Sequence, residues 1–144
     1  MRTESSVKAQ MVNKARAAKW YARRFEDQYA VGTPDVMLIP PGGPVYWCEV
    51  KILRGATFGP TPRQAEELRR LGETGAVVPL VGGYRVSDHY IAFYKWTGEI
   101  NVSYTWVDFR YFLGAIKEYG LRDAADGAIK ESELGGSKHR IHGT

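Results

Sequence analysis

Asp35, Glu49 and Lys51 are the residues whose types and spacing point to chemistry in this chain. They lie on two short apolar runs rich in β-forming residues, DVMLI from Asp35 to Ile39 and VYWCEVKI from Val45 to Ile52. PPGGP, made entirely of turn formers, joins the runs, so a hairpin is the natural expectation. With the turn centred on Gly42, Ile39 faces Val45, Met37 faces Trp47 and Asp35 faces Glu49. Side chains alternate along a strand, so Val45, Trp47, Glu49 and Lys51 share one face and Tyr46, Cys48, Val50 and Ile52 the other. Two acids opposed on neighbouring strands, with Cβ atoms roughly 5 Å apart, repel unless a proton or a cation lies between them. Mg²⁺ suits that position, because a hard divalent ion is commonly held by one or two carboxylates, with water and a substrate phosphate completing its shell. Lys51, one strand repeat beyond Glu49, would then meet a phosphate oxygen or the attacking water.

The wider pattern resembles a known family. Pro34-Asp35 followed by Glu49-Val50-Lys51 has the form of the signature of the PD-(D/E)XK nuclease superfamily, and GTPDVMLI, YWCEVK and PTPRQAEELRRLGETGAVVPLV in that order look most like its VRR-NUC branch. The likeness runs from Glu4 to Val81. Glu-x-Lys alone occurs by chance in many proteins; Gly-x-Pro-Asp, a turn, Glu-Val-Lys and a Pro-x-x-Gln helix in succession are far more specific. The resemblance implies an α/β restriction-endonuclease-like core of order αβββαβ and a metal-dependent endonuclease that hydrolyses DNA phosphodiester bonds. It further implies that Asp35 and Glu49 hold Mg²⁺ or Mn²⁺ with the backbone carbonyl of Val50, and that Lys51 activates the water. An upstream glutamate, here Glu4, is implied as an additional ligand or water-positioning group that could complete a second ion site, with Glu26 as the other candidate. Gln64 is implied beside the active site. Small stand-alone members resemble junction-resolving enzymes, which work as symmetric dimers, so branched DNA and a homodimer follow by the same resemblance. A nuclease-like fold that only binds DNA within a replication or packaging complex is the alternative.

Around the motif, Thr3 or Ser5 can cap a first helix whose apolar positions Val7, Met11, Ala15 and Ala18 step by four, four and three. Glu4 falls on that stripe, where a carboxylate also complements the helix dipole. The stripe could continue through Ala22, Phe25 and Tyr29, but KWYARRF is read as a strand because the resembling fold needs one there. LRGATFGP, carrying Arg54, leads to a second helix with Thr61 as cap, Pro62 at its first position, Gln64 placed for a capping box, and Ala65, Leu68 and Leu71 on its buried side. Gln64 is therefore explained by capping as well as by a site role. Arg63 is either a solvated first-turn residue or a phosphate contact.

Ala76 to Val81 reads as a strand in which Pro79 argues for a sheet edge or a bulge. HYIAFYKW and EINVSYTW flank Thr97-Gly98 and predict a second, aromatic hairpin, suited to core packing or subunit contact more than to base stacking. Asp108 caps a last helix with Phe109, Phe112, Leu113 and Ile116 on one face, closed by Gly120. The expected organisation is one nuclease domain over 1–120, with a family-like core over 4–82 and an extension over 83–120, followed by a polar, partly flexible tail over 121–144 whose SKHRIH could touch DNA.

Composition sets the bounds. At 144 residues, 44% hydrophobic and 12% aromatic, the chain is an ordinary globular domain. No apolar run approaches the roughly 20 residues of a membrane span, and MRTESSVK lacks a signal peptide's apolar segment, so no membrane partner and a cytoplasmic location, in a bacterium or phage-infected host, are expected. The single cysteine, Cys48, falls on the apolar strand face and reads as core. A net charge of +4 favours an anionic partner, with Lys8, Lys14, Arg16, Lys19, Arg23 and Arg24 crowding the N-terminal region as a solvated helix face or a phosphate-contacting surface. His89, His139 and His142 are too scattered for a zinc site with Cys48, and neither a GxSxG elbow nor a GxxxxGK[ST] loop is present.

Overall fold

Thr3 Oγ1 accepts the Ser6 N–H and Ser6 Oγ accepts the Thr3 N–H, and this reciprocal cap starts helix α1 (Glu4–Ala17). The computed structural model describes residues 3–25, 35–53, 58–98, 101–125 and 139–142. The buried residues of α1 are Val7, Met11, Val12 and Ala15, a broader stripe than expected, and Ala18 lies outside it as the exposed C-cap. Lys19, at φ 68, turns the chain out of the helix, so the next segment is a strand and not a longer helix. That strand, β1 (Tyr21–Arg24), pairs antiparallel with β2 (Val36–Ile39). β2 pairs antiparallel with β3 (Val45–Ile52), with Val36 opposite Cys48, Met37 opposite Trp47 and Leu38 opposite Tyr46, which is the expected register.

Helix α2 (Pro62–Glu73) connects β3 to a parallel strand, β4 (Val77–Arg85). This strand corrects two expectations. It lies inside the sheet, and it runs through Gly82 and Gly83 where a stop was read. The glycines are there because aromatic rings cover them: a Cβ on Gly82 would come 2.8 Å from Phe93, and one on Gly83 would come 2.5 Å from Phe58. Pro79 is tolerated without a bulge because its carbonyl accepts the Trp96 N–H at 2.9 Å. Its nitrogen faces the same side, beyond the Leu80–Lys95 pair where the ladder to β5 (Tyr90–Lys95) begins, so no ladder bond is lost.

The second hairpin is also corrected. β5 returns antiparallel on β4 through a turn in which Arg85 opposes Tyr90. The segment after Thr97-Gly98, β6 (Asn101–Tyr104), forms no ladder with β5. It pairs with β8 (His139–His142) in a separate two-stranded sheet, while β7 (Val107–Asp108) takes the free edge of β5. Asp108 caps a short 3₁₀ turn, Phe109–Tyr111, that leads into α3 (Phe112–Ala125). Gly120 does not close α3; it keeps a helical backbone, at a cost of about 1 kcal/mol relative to alanine.

The main sheet has the order β1-β2-β3-β4-β5-β7. One buried cluster joins Met11 of α1 and Phe112 and Ile116 of α3 to Tyr46, Cys48 and Val50, and a second joins Leu68 of α2 to Phe58, Val81, Ala92 and Tyr94. Helices therefore cover both faces. Cys48 is core, as expected, and burial pushes its thiol upward, away from reactivity. Among the described residues, no helix is long and apolar enough to cross a membrane.

Candidate active site

Asp35 stands one residue before β2, with its N–H donating to the Cys48 carbonyl at 3.0 Å and its carbonyl accepting the Phe25 N–H at 2.8 Å. Both neighbouring strands thus pin its backbone. The β2–β3 ladder ends at the Val36–Cys48 pair and the Asp35 N–H still bonds to Cys48, so Asp35 lies just past the ladder's end and not in the expected rung with Glu49, although its charge reaches that acid. On its other side Glu49 pairs with Val81, whose side chain belongs to the cluster under α2, and Lys51 pairs with Gly83 on the same face.

Glu49 is only 1% exposed. Its Oε1 accepts a hydrogen bond from Gln64 Nε2 at 2.8 Å and lies 3.5 Å from Lys51 Nζ. Its Oε2 is buried without a hydrogen-bond partner. Gln64 is oriented from the opposite end, because its Oε1 accepts the Thr61 N–H at 2.9 Å while its own N–H donates to Thr61 Oγ1 at 3.3 Å. Once the carbonyl end caps the helix, the NH₂ end must face the acid. One side chain therefore serves both the helix cap and the Glu49 carboxylate.

Asp35 Oδ2 accepts a hydrogen bond from Lys8 Nζ at 2.9 Å and faces the Val50 N–H at 3.4 Å. Lys8 Nζ is also 3.7 Å from Glu4 Oε1, one helical turn back. The structure thus brings Asp35, Glu49, Lys51, Gln64 and the Val50 backbone together, and it places Glu4 on the far side of an ammonium. Among the described residues, no three His, Cys, Asp or Glu side chains gather as a metal-holding group. Glu26 and Arg54 lie outside the described residues. Lys8 is the residue that sequence reasoning missed as part of the site. The signal was Val12: a stripe wide enough to bury it, four residues on, also draws Lys8 inward.

Burial pushes the Glu49 carboxyl up to about 8, and the neighbouring charge of Asp35 pushes in the same direction. Lys51 and Lys8 pull in the other direction and do not offset these effects.

No family model and no curated protein matches the sequence. The fold is similar to that of Hjc, a Holliday junction resolvase from the archaeal hyperthermophile Archaeoglobus fulgidus, at 14% identity and TM-score 0.52, over 63% of this chain and 75% of that one. A VRR_NUC domain is matched at 28% identity and TM-score 0.44, over 54% of this chain and 82% of that one. The nuclease-like α/β fold expected from the motif is the fold found.

Proposed function

We propose that this chain is a metal-dependent deoxyribonuclease that cuts DNA endonucleolytically at branched structures, with Asp35, Glu49 and Lys51 at its centre. The observation that carries the reading is Glu49, a fully buried acid with one unpartnered oxygen, set against a second acid and flanked by lysines. A solvated hairpin pair would leave that burial unexplained.

The donor set fits a hard divalent ion. Glu49 Oε2 is buried without a hydrogen-bond partner, and the side-chain donors that Asp35 and Glu49 offer are all oxygens. Asp35, Glu49 and the Val50 carbonyl would hold Mg²⁺ or Mn²⁺, which supplies Lewis-acid polarisation of a phosphodiester oxygen and neutralisation of charge. Gln64 fixes the Glu49 carboxylate by Oε1 and so leaves Oε2 to the ion. Lys51, partly exposed beside Glu49, orients the attacking water and offsets negative charge developing on the phosphorus-bound oxygens.

Branched DNA as substrate is supported by likeness of fold to a Holliday junction resolvase and by the basic N-terminal region. Not all of that charge is available to phosphate. Arg16 donates to the Ala22 carbonyl and Arg24 to Ser5, whereas Lys14, Lys19 and Arg23 are exposed. A junction needs two symmetric cuts, so a homodimer is the acting form. The test is cleavage of supercoiled plasmid and of a synthetic four-way junction with Mg²⁺, Mn²⁺ or EDTA, using Lys51→Ala protein as control. Metal-dependent cutting lost in Lys51→Ala is expected, with the junction preferred. Binding without cutting under either metal would leave a DNA-binding module and reject the enzyme.

A further inference from the structure

We infer that Lys8 is an internal counter-ion that competes with the divalent ion for Asp35, and that Glu4 acts on the site by holding that ammonium when it leaves Asp35. The inference rests on the metal site proposed above and assigns to this chain a residue that sets the strength of that site.

Lys8 is not a solubilising lysine. Its side chain is only 12% exposed, and an ammonium gives up that much water only where acids replace it. It has two, on different elements: Asp35 Oδ2 at 2.9 Å on the sheet and Glu4 Oε1 at 3.7 Å on its own helix. The oxygen it takes on Asp35 also faces the Val50 N–H, so this edge of the carboxylate is already turned toward protein donors. A divalent ion drawn to the Asp35–Glu49 pair would meet a positive charge in contact with one of its two ligands, and like charges at contact distance oppose binding. Glu4 resolves the conflict. It lies four residues before Lys8, where a helical acid and lysine naturally face each other, and its half-exposed carboxylate can receive the ammonium without any backbone movement. Ion entry is then an exchange: Lys8 moves from Asp35 to Glu4, and the ion takes its place. Glu4 thereby acts as a positioning residue, reaching the ion through Lys8.

The test uses the full chain without DNA, titrated with Mn²⁺ and read by the electron paramagnetic resonance signal of the free ion. Wild type, Lys8→Met, Glu4→Gln and the double variant are compared. Lys8→Met is expected to tighten Mn²⁺ binding on the order of tenfold. Glu4→Gln is expected to weaken it in wild type, because Lys8 then stays on Asp35, and to change nothing in the Lys8→Met background. Lys8→Gln removes the charge while keeping a polar end and carries the same expectation should the methionine variant fail to fold. Mn²⁺ affinity unchanged or weakened by loss of Lys8, in a wild type that binds, would overturn the counter-ion role alone. Equal weakening by Glu4→Gln in both backgrounds would make Glu4 a direct ligand and overturn its part. No Mn²⁺ binding in any of the four proteins would remove the metal site itself and the inference with it.

Discussion

Asp35, just before β2, and Glu49, inside β3, are neighbouring acids, yet the two sides of the pair are built differently. On the Glu49 side the acid is buried, and beside Lys51 its hydrogen-bond partner is a neutral amide locked by capping α2. On the Asp35 side the partner is a mostly buried ammonium with a second acid one helical turn away. One carboxylate is preorganised by packing, the other by a charge that can be exchanged. The difference teaches how a strongly repulsive pair can be kept ready without being permanently neutralised. Rigid burial raises the demand for a cation at one acid, and an exchangeable lysine meets part of that demand at the other.

The largest expected effect comes from removing the cation on the rigid side. Lys51→Ala should lower single-turnover junction cleavage by about a thousandfold or more, with the far-ultraviolet dichroism unchanged, since its ammonium acts on charge that develops in the reaction. Loss of less than tenfold would move the chemistry away from Lys51. Gln64→Ala should cost roughly 10- to 100-fold in cleavage through the freed Glu49. It should also cost about 1 kcal/mol of stability through the lost cap. Gln64→Glu separates the two contributions, because it keeps the cap acceptor but points a third carboxylate at Glu49.

A pH series sharpens the same comparison. Because the folded-state value of Glu49 is raised to about 8 from an ordinary 4.5, the native state holds a proton that the unfolded chain releases between those values. That contribution to stability is full below the unfolded value and is lost as pH rises through 8. In EDTA, thermal stability should therefore fall between pH 5 and pH 8 by on the order of a few kcal/mol, and Glu49→Gln should flatten the profile. A wild-type profile already flat in EDTA would mean that Glu49 is not held protonated by its surroundings. The smallest effect belongs outside the pair: Glu66→Gln, which breaks an exposed ion pair with Arg69, should change stability by less than about 0.5 kcal/mol and leave cleavage intact.

What was legible in the sequence was what local chemistry decides. The β2–β3 register followed from one turn and strict alternation, and Gln64 from a capping box four residues long. Lys8 was hidden because its decisive partner, Asp35, is remote in sequence and meets it only through the packing of α1 on the sheet. The second hairpin was misread for a related reason. Thr97-Gly98 has turn chemistry, but the edge of β5 is contested, and β7 takes it while β6 finds β8. Gly82-Gly83 looked like a strand end until Phe93 and Phe58, from a later strand and an earlier loop, were seen lying against them. Non-local competition of this kind leaves no periodic signal.

The decisive measurement is a calorimetric Mg²⁺ and Mn²⁺ titration of wild type beside Asp35→Asn and Glu49→Gln. If the acid pair is a cation site, wild type should show saturable binding, strongly weakened in both variants and retained in Lys51→Ala. Binding that survives in both acid variants would place the ion elsewhere and contradict the reading of Asp35 and Glu49 as its ligands.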